Sequence, residues 1–440
     1  MKSGQTDRYV PGSGNSGYRT RHYDLVLTYR MGSNRLEGVA HIDAVATEQI
    51  DRLSLDLAGL KVSKVQVDGH RVAKFGVRGH KLQIRLARPI ARGDRFGIDV
   101  TYSGNPRPVR SRWGDVGWEE LTEGVIVAGQ PNGAASWFPC NDHPSDKASY
   151  RISVTTDSPY MVISNGSLAD RRSRASMTTW VFVHPQPMAT YLATVQIGRY
   201  EMVEIATKPV RQRAALPHSL KAGFATDFGR QTRMMACFTE LFGRYPFDAY
   251  TVVVVDDPLE IPLEAQGLSI FGSNHVDGIR THERLVAHEL AHQWFGNSLT
   301  VAAWQHIWLN EGFACYAEWL WSEEAGGPPA DRLADRYWRR LADSPQDIVL
   351  ADPGPELMFD DRVYKRGALA LHALRRETGD DDFFDLIRGW AKANRHATVT
   401  TAMFVDHVTA ECGAAAAKLL KAWLFERELP RSPAKSGRRK

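Results

Sequence analysis

Apolar residues alternate with polar ones through roughly the first two hundred positions of this chain and afterwards recur at every third and fourth position. Because a strand buries every second side chain and a helix one stripe in three or four, that change of period near residue 205 divides the fold into two kinds of domain. Leu53, Leu55 and Leu57, then Val65 and Val67 before Asp68-Gly69, then Leu82, Ile84 and Leu86, then Phe96, Ile98, Val100 and Tyr102 keep the period of two. Ile152 with Val154 and Trp180 with Phe182 continue it. The spacing predicts a β-rich domain over 18–205, an antiparallel, sandwich-like pair of sheets each burying one face. Beyond it, Met234, Cys237, Phe238 and Leu241 predict a helix over 227–242. Thr281 is placed to cap a helix that Gly296 ends, and further helices are predicted over 310–324, 330–341, 364–378, 382–394 and 414–427. Extended runs at 251–255 and 267–271 add a small sheet, so 206–430 is expected to be mainly helical and the whole chain an α+β multidomain protein.

With 440 residues, 43% hydrophobic and 24% charged, the chain has enough apolar surface for two or three packed domains and lies outside disordered or coiled-coil composition. Its net charge of +4 comes from the end: Arg431, Lys435, Arg438, Arg439 and Lys440 lie in the last ten residues, where there is no acid. The body is near neutral, which argues against a nucleic-acid partner and leaves 431–440 as a basic tail. Residues 1–17 are polar and rich in Gly and Ser, read as a disordered tail without the apolar core of a signal peptide. No apolar run approaches the roughly 18 to 20 residues of a membrane span. Cys140, Cys237, Cys315 and Cys412 show no CxxC spacing, so neither a thiolate metal site nor a disulfide framework is expected. A reducing, cytoplasmic location follows as an expectation, while oligomeric state is not legible.

The helical half holds His288-Glu289-Leu290-Ala291-His292. Residues four apart on a helix leave the same face one turn apart, so both imidazoles can share one tetrahedral ion. Three fixed residues are a weak signal, and the third ligand decides. Glu311 lies nineteen residues after His292, at the start of the next predicted helix, and can supply it while a fourth position stays open to water. The competing interpretation is that the histidines are packed core residues and Glu311 a surface or capping acid.

The string His288-Glu-Leu-Ala-His-Gln-Trp-Phe-Gly-Asn297 followed by Trp308-Leu-Asn-Glu-Gly-Phe-Ala314 resembles the zinc signature of the aminopeptidase N-type gluzincin metallopeptidases. Trp137-Phe-Pro-Cys-Asn-Asp-His-Pro144 with Lys147, and Met188-Ala-Thr-Tyr-Leu-Ala193, are similar to β-domain segments of that family. The resemblance implies a thermolysin-like catalytic domain, one zinc ion held by His288, His292 and Glu311, and peptide substrates. It implies Glu289 as general base and then general acid. Tyr364, in Val-Tyr-Lys-Arg-Gly367, stands where the family places a hydroxyl that stabilises the oxyanion. Glu264, in Pro262-Leu-Glu-Ala-Gln-Gly267, occupies the position of the glutamate that grips the substrate's free ammonium, and Gln130 stands where relatives carry Glu or Gln for the same task.

The pattern departs at Ile261 and Ala265, which replace a glycine and an asparagine beside that glutamate. Glu318, seven residues after Glu311, is read as an acid behind the ligands, a contributor to the amine subsite, or a surface ion-pair partner. Asn297 and Asn310 are supporting polar groups, Asn310 alternatively a helix cap. Larger relatives carry a long helical C-terminal domain with no counterpart in this sequence, from which a more open cleft and tolerance of longer peptides are expected. A zinc-dependent aminopeptidase is the leading expectation. A silent binding scaffold and a zinc endopeptidase are the alternatives, weighed against an intact set of ligands, base and amine-binding acid.

Overall fold

The computed structural model describes residues 6–432 and divides them between two compact units. Of the described residues, the first takes 6–221 and 247–274, the second 222–246 and 275–432. The change of hydrophobic period therefore does not fall on a single cut. Strands Glu201–Ala206 and Arg211–Leu216 continue past residue 205, and Arg211–Leu216 pairs in parallel with Ala249–Val254, which draws 247–274 into the first unit. The sequence Arg211-Gln-Arg-Ala-Ala-Leu216 lacks the alternation that marks an exposed strand, because Gln212, Ala214, Ala215 and Leu216 are all buried.

Each alternating segment of the first half forms a strand. Tyr18–Arg30 is typical: Tyr23, Leu25, Leu27 and Tyr29 are fully buried on one face. It pairs antiparallel with Arg35–Ala46 inside an eight-stranded sheet, and a three-stranded and a five-stranded sheet complete the sandwich. The antiparallel rule has one exception here, since Tyr18–Arg30 runs parallel to Ala148–Asp157, a strand more than a hundred residues later that needs no hairpin. That register sets Tyr23 opposite Tyr150 with their rings stacked at 4.9 Å. At Asp68-Gly69 both φ angles are positive, 49° and 74°, as a tight two-residue hairpin requires.

Residues 6–17 are not the disordered tail expected from their composition. Tyr9 is buried, the Gly14 amide donates to Asp56 Oδ2 at 2.9 Å, and the Asn15 amide donates to Asn141 Oδ1. Asp56 also accepts from the Asp142 amide and pairs with Lys81 at 2.7 Å, so one buried carboxylate ties this segment to residues 138–144. Met1–Gln5 and most of the basic tail, 433–440, lie outside the described residues.

In the second unit the helices Gln231–Phe242, Glu283–Ala291, Trp308–Glu324, Ala330–Ala342, Asp361–Thr378 and Asp380–Ala393 match expected segments closely, apart from their ends. Asp360 caps the Asp361–Thr378 helix, its carboxylate accepting from the Arg362 amide. Thr401–Phe425 extends well before the expected 414, with a kink at Gly413, where φ is 83°. Phe404, Val405 and Val408 bury its first half, an apolar stripe short enough to be missed in sequence. The Asp361–Thr378 helix is anchored by the buried Arg366 guanidinium, which donates to the carbonyls of Ile348, Trp423, Glu426, Arg427 and Glu428. Among the described residues no helix is long and apolar enough to cross a membrane.

Candidate metal centre and active site

The histidine pair stands on Glu283–Ala291, a helix that starts without the expected threonine cap: His282 occupies the N-cap position and offers no side-chain bond. The approach to the helix is fixed instead by Asp227, whose carboxylate accepts from the Gly278 and Arg280 amides. His292 lies one residue past the regular helix but keeps helical angles, φ −55° and ψ −24°, and its amide donates to the His288 carbonyl. The i, i+4 relation therefore survives, and the two rings sit 4.7 Å apart between centroids.

Glu311 lies in the first turn of Trp308–Glu324, where the helix dipole favours a carboxylate. Its Oε2 is 3.5 Å from His288 Nε2 and 3.4 Å from His292 Nε2. All three residues are buried. The outer ring nitrogens fix the tautomers. His288 Nδ1 bonds Glu318 Oε1 at 2.8 Å and His292 Nδ1 bonds the Phe295 carbonyl at 3.0 Å. Both partners can only accept, so each Nδ1 carries a proton and each Nε2 is left directed at Glu311. Burial would push the His288 imidazole down, but the Glu311 and Glu318 carboxylates override it and hold it up at about 9. Burial would likewise raise Glu311, and the two imidazoles instead hold it down at about 2. The cluster demands positive charge. Two imidazole nitrogens and one carboxylate oxygen are a donor set that fits zinc.

Glu318, read as an acid behind the ligands, a contributor to the amine subsite or a surface ion-pair partner, has its Oε1 bonded to His288 and its Oε2 3.3 Å from Arg284, so both oxygens are engaged within the second unit. Glu289 is buried, with a carboxylate oxygen within 4.8 Å of a His292 ring nitrogen. Tyr364 stacks on His288, centroids 6.1 Å apart and planes inclined by 19°. Asn310 is buried inside the first turn and does not cap the helix. Cys315 is a buried thiol 3.3 Å from Lys365 Nζ.

Two features of this site were not read from the sequence. Gly296 has φ 125°, and a Cβ there would stand 3.1 Å from His292 Nδ1, so glycine is what lets the chain turn back to present the Phe295 carbonyl. Gly312 and Gly367 let the helices carrying Glu311 and Tyr364 touch backbone to backbone: a Cβ on Gly367 would lie 2.7 Å from Gly312 Cα. Small residues one after Glu311 and three after Tyr364 were the available signal. Gly367→Ala gains about 0.5–1 kcal/mol of helix propensity, but overpacking a backbone contact costs about 1–3 kcal/mol. The variant should therefore be less stable by about 1–2 kcal/mol in denaturant unfolding, and an unchanged or higher midpoint would contradict the contact.

Of the residues expected at the amine subsite, Glu264 and Gln130 lie in the first unit. Glu264 is the middle residue of the short strand Leu263–Ala265, paired with Ser269. Gln130 Nε2 donates to Glu264 Oε1 at 2.8 Å, so the fold joins two residues named separately, 134 positions apart. Ala265 is buried in the core and Ile261 is 63% exposed, so the two departures from the family pattern flank a glutamate that still has its amide partner.

Two family models match the chain, "Peptidase M1 N-terminal domain" over residues 19–192 and "Peptidase family M1 domain" over residues 226–423. The crystal structure of an M1 zinc metallopeptidase from Deinococcus radiodurans is 32% identical, with a TM-score of 0.89 over 97% of this chain and 98% of that one. A mutant of the Deinococcus radiodurans enzyme bound to a Tyr-Ser-Ala substrate superposes with the same TM-score of 0.89 and 32% identity, over 97% and 98% of the two chains. Among curated proteins, "Probable aminopeptidase 2" of Sulfurisphaera tokodaii is 28% identical over 325 residues, 68% of this chain and 40% of that protein. "Aminopeptidase M1" of Arabidopsis thaliana is 25% identical over 70% of this chain and 37% of its own length, so the chain spans about two fifths of these curated relatives.

Proposed function

Because the chain belongs to peptidase family M1, we propose that it is a zinc-dependent aminopeptidase that hydrolyses the N-terminal bond of peptides. The observation that carries this is the pair of outward Nδ1 bonds, which leaves His288 Nε2 and His292 Nε2 directed at Glu311. His288, His292 and Glu311 would hold the zinc, which when bound would supply a Lewis acid able to acidify water toward a pKa of about 7 and polarise the scissile carbonyl. Glu289 removes the proton of the attacking water and returns it to the leaving amine. The Tyr364 hydroxyl donates to the oxygen on which negative charge develops. Glu264, oriented by Gln130, binds the substrate's ammonium as a charge-assisted acceptor. Glu318 keeps His288 in the ligating tautomer. A reducing, cytoplasmic location is the companion proposal, supported by four free thiols.

The test is turnover of aminoacyl amides, free and N-acetylated, before and after chelation and with zinc restored. Cleavage confined to the free amines, lost on chelation and recovered with zinc, is the expected result. In the same assay Glu264→Gln should lower kcat/KM for free amines by about 10–100-fold, the worth of one hydrogen bond to a charged group. Equal cleavage of blocked substrates would replace this reading with an endopeptidase. No turnover by zinc-loaded protein would replace it with a binding scaffold.

A further inference from the structure

Far from the catalytic residues in sequence, the first unit contains an apolar cavity of about 220 Å3. Three sheet edges meet around it: Met161–Ser164 and Ser167–Arg174 end two sheets of the sandwich, and Glu201–Ala206 ends the sheet that follows. Ile163 and Phe182 form buried walls, while Leu168 and Met202, 43% and 41% exposed, stand at the mouth. A dry apolar cavity of about 150 Å3 already accepts a benzene ring, so the volume here suits an aromatic ring or a short acyl chain.

Two guanidinium groups give the cavity its charge. Arg213 lines it with a buried Nε that has no hydrogen-bond partner among the described residues. Burial, with help from the neighbouring Arg211, lowers its pKa against the smaller opposing pull of Glu204, which faces it on the paired strand. The carboxylate nearest in sequence, Glu204, is engaged by Arg211 through two bonds of 2.9 and 3.2 Å. Arg171 lies 4.3 Å over the Trp180 ring and forms no ion pair among the described residues, and neighbouring Asp170 is paired with Arg172. An apolar pocket with two cations and spent acids is complementary to a ligand with an apolar body and one negative head.

We propose that this cavity binds a small amphipathic carboxylate of the acyl or aryl class, its apolar part between Ile163 and Phe182 and its carboxylate on Arg213 and Arg171. The site uses none of the residues assigned to zinc or the substrate amine, so it stands or falls independently of the peptidase reading.

Titration calorimetry of the zinc-loaded chain with octanoate and 3-phenylpropanoate tests it, with octanol and octylamine as controls. Saturable binding of the carboxylates is expected, about tenfold or more weaker in Arg213→Gln, largely restored in Arg213→Lys, and blocked in Met202→Trp, which fills the mouth. Octanol should bind at least tenfold more weakly than octanoate, and octylamine should not saturate. Absence of saturable carboxylate binding by the wild-type chain overturns the proposal. So does binding that persists unchanged in folded Arg213→Gln and Met202→Trp, or octanol binding as tightly as octanoate. Preference for a peptide over either acid would make the cavity a peptide dock and overturn it equally.

Discussion

Glu289→Gln is expected to lower kcat for aminoacyl amides by about 10²–10⁴-fold while zinc content stays at one ion per chain. The amide is isosteric with the carboxylate but cannot take a proton from water at neutral pH, so the loss belongs to the proton-transfer step. Glu289 is buried beside His292 without being one of the three donors gathered around Glu311. Zinc affinity should accordingly change little, and KM should move far less than kcat, because the group acts on the transition state. Metal analysis alongside steady-state kinetics checks this. A variant that loses zinc together with activity would reassign Glu289 as a ligand or its support, and one that keeps full turnover would remove it from catalysis.

Glu311→Gln should act by the other route. Glu311 is the single anion among the three donors, set 3.4 to 3.5 Å from both Nε2 atoms in a buried cluster. Groups that merely support a ligand cost about 10–100-fold in metal affinity when removed, and a ligand itself should cost more than about 100-fold. Activity at stoichiometric zinc is then lost. Stability should follow occupancy: zinc at 100 times its dissociation constant adds about 2.7 kcal/mol to the native state, and that increment disappears in the variant. Calorimetric unfolding with and without chelator separates the cases. Wild type should show a chelator-dependent fall in Tm, and Glu311→Gln almost none at the same zinc concentration. Equal chelator dependence in both proteins would show that the ion is held elsewhere.

Much of this site was legible because its chemistry is local. His288 and His292 announce themselves through helical spacing, and Glu311 through its place at the start of the next helix. What completes the cluster is not local in that sense. Glu318 could be read three ways from its spacing, and only packing of its helix against the histidine helix settles both of its oxygens. The Phe295 carbonyl is a backbone group, without any signature of its own in sequence. The Gly312–Gly367 contact joins residues on different helices, and although each glycine sits beside a site residue, nothing in the sequence pairs one with the other.

Local composition also misled where tertiary contacts override it. Residues 6–17 read as a solvated tail because nothing in Gly-Ser-rich sequence records that Asp56, far along the chain, accepts from the Gly14 amide. Thr281 is a good cap by residue type, yet the turn is held by Asp227, 53 residues from the Arg280 amide it accepts from. The expected cut at residue 205 failed because the parallel pairing of Arg211–Leu216 with Ala249–Val254 is a long-range choice between strands.

By itself the sequence determined the two periodicities, hence strands followed by helices, and the identity and spacing of the groups that can hold a metal ion. Those properties depend on backbone geometry within a few turns, where side-chain direction follows from position alone. The tertiary structure alone decided which ring nitrogens carry protons, which acid orients a ligand, how closely two helices approach, and that Gln130 meets Glu264. Apart from the Phe295 carbonyl, only three residues from His292, each of these is a contact of a few ångströms between segments far apart in the chain, and such contacts leave no periodic trace in sequence.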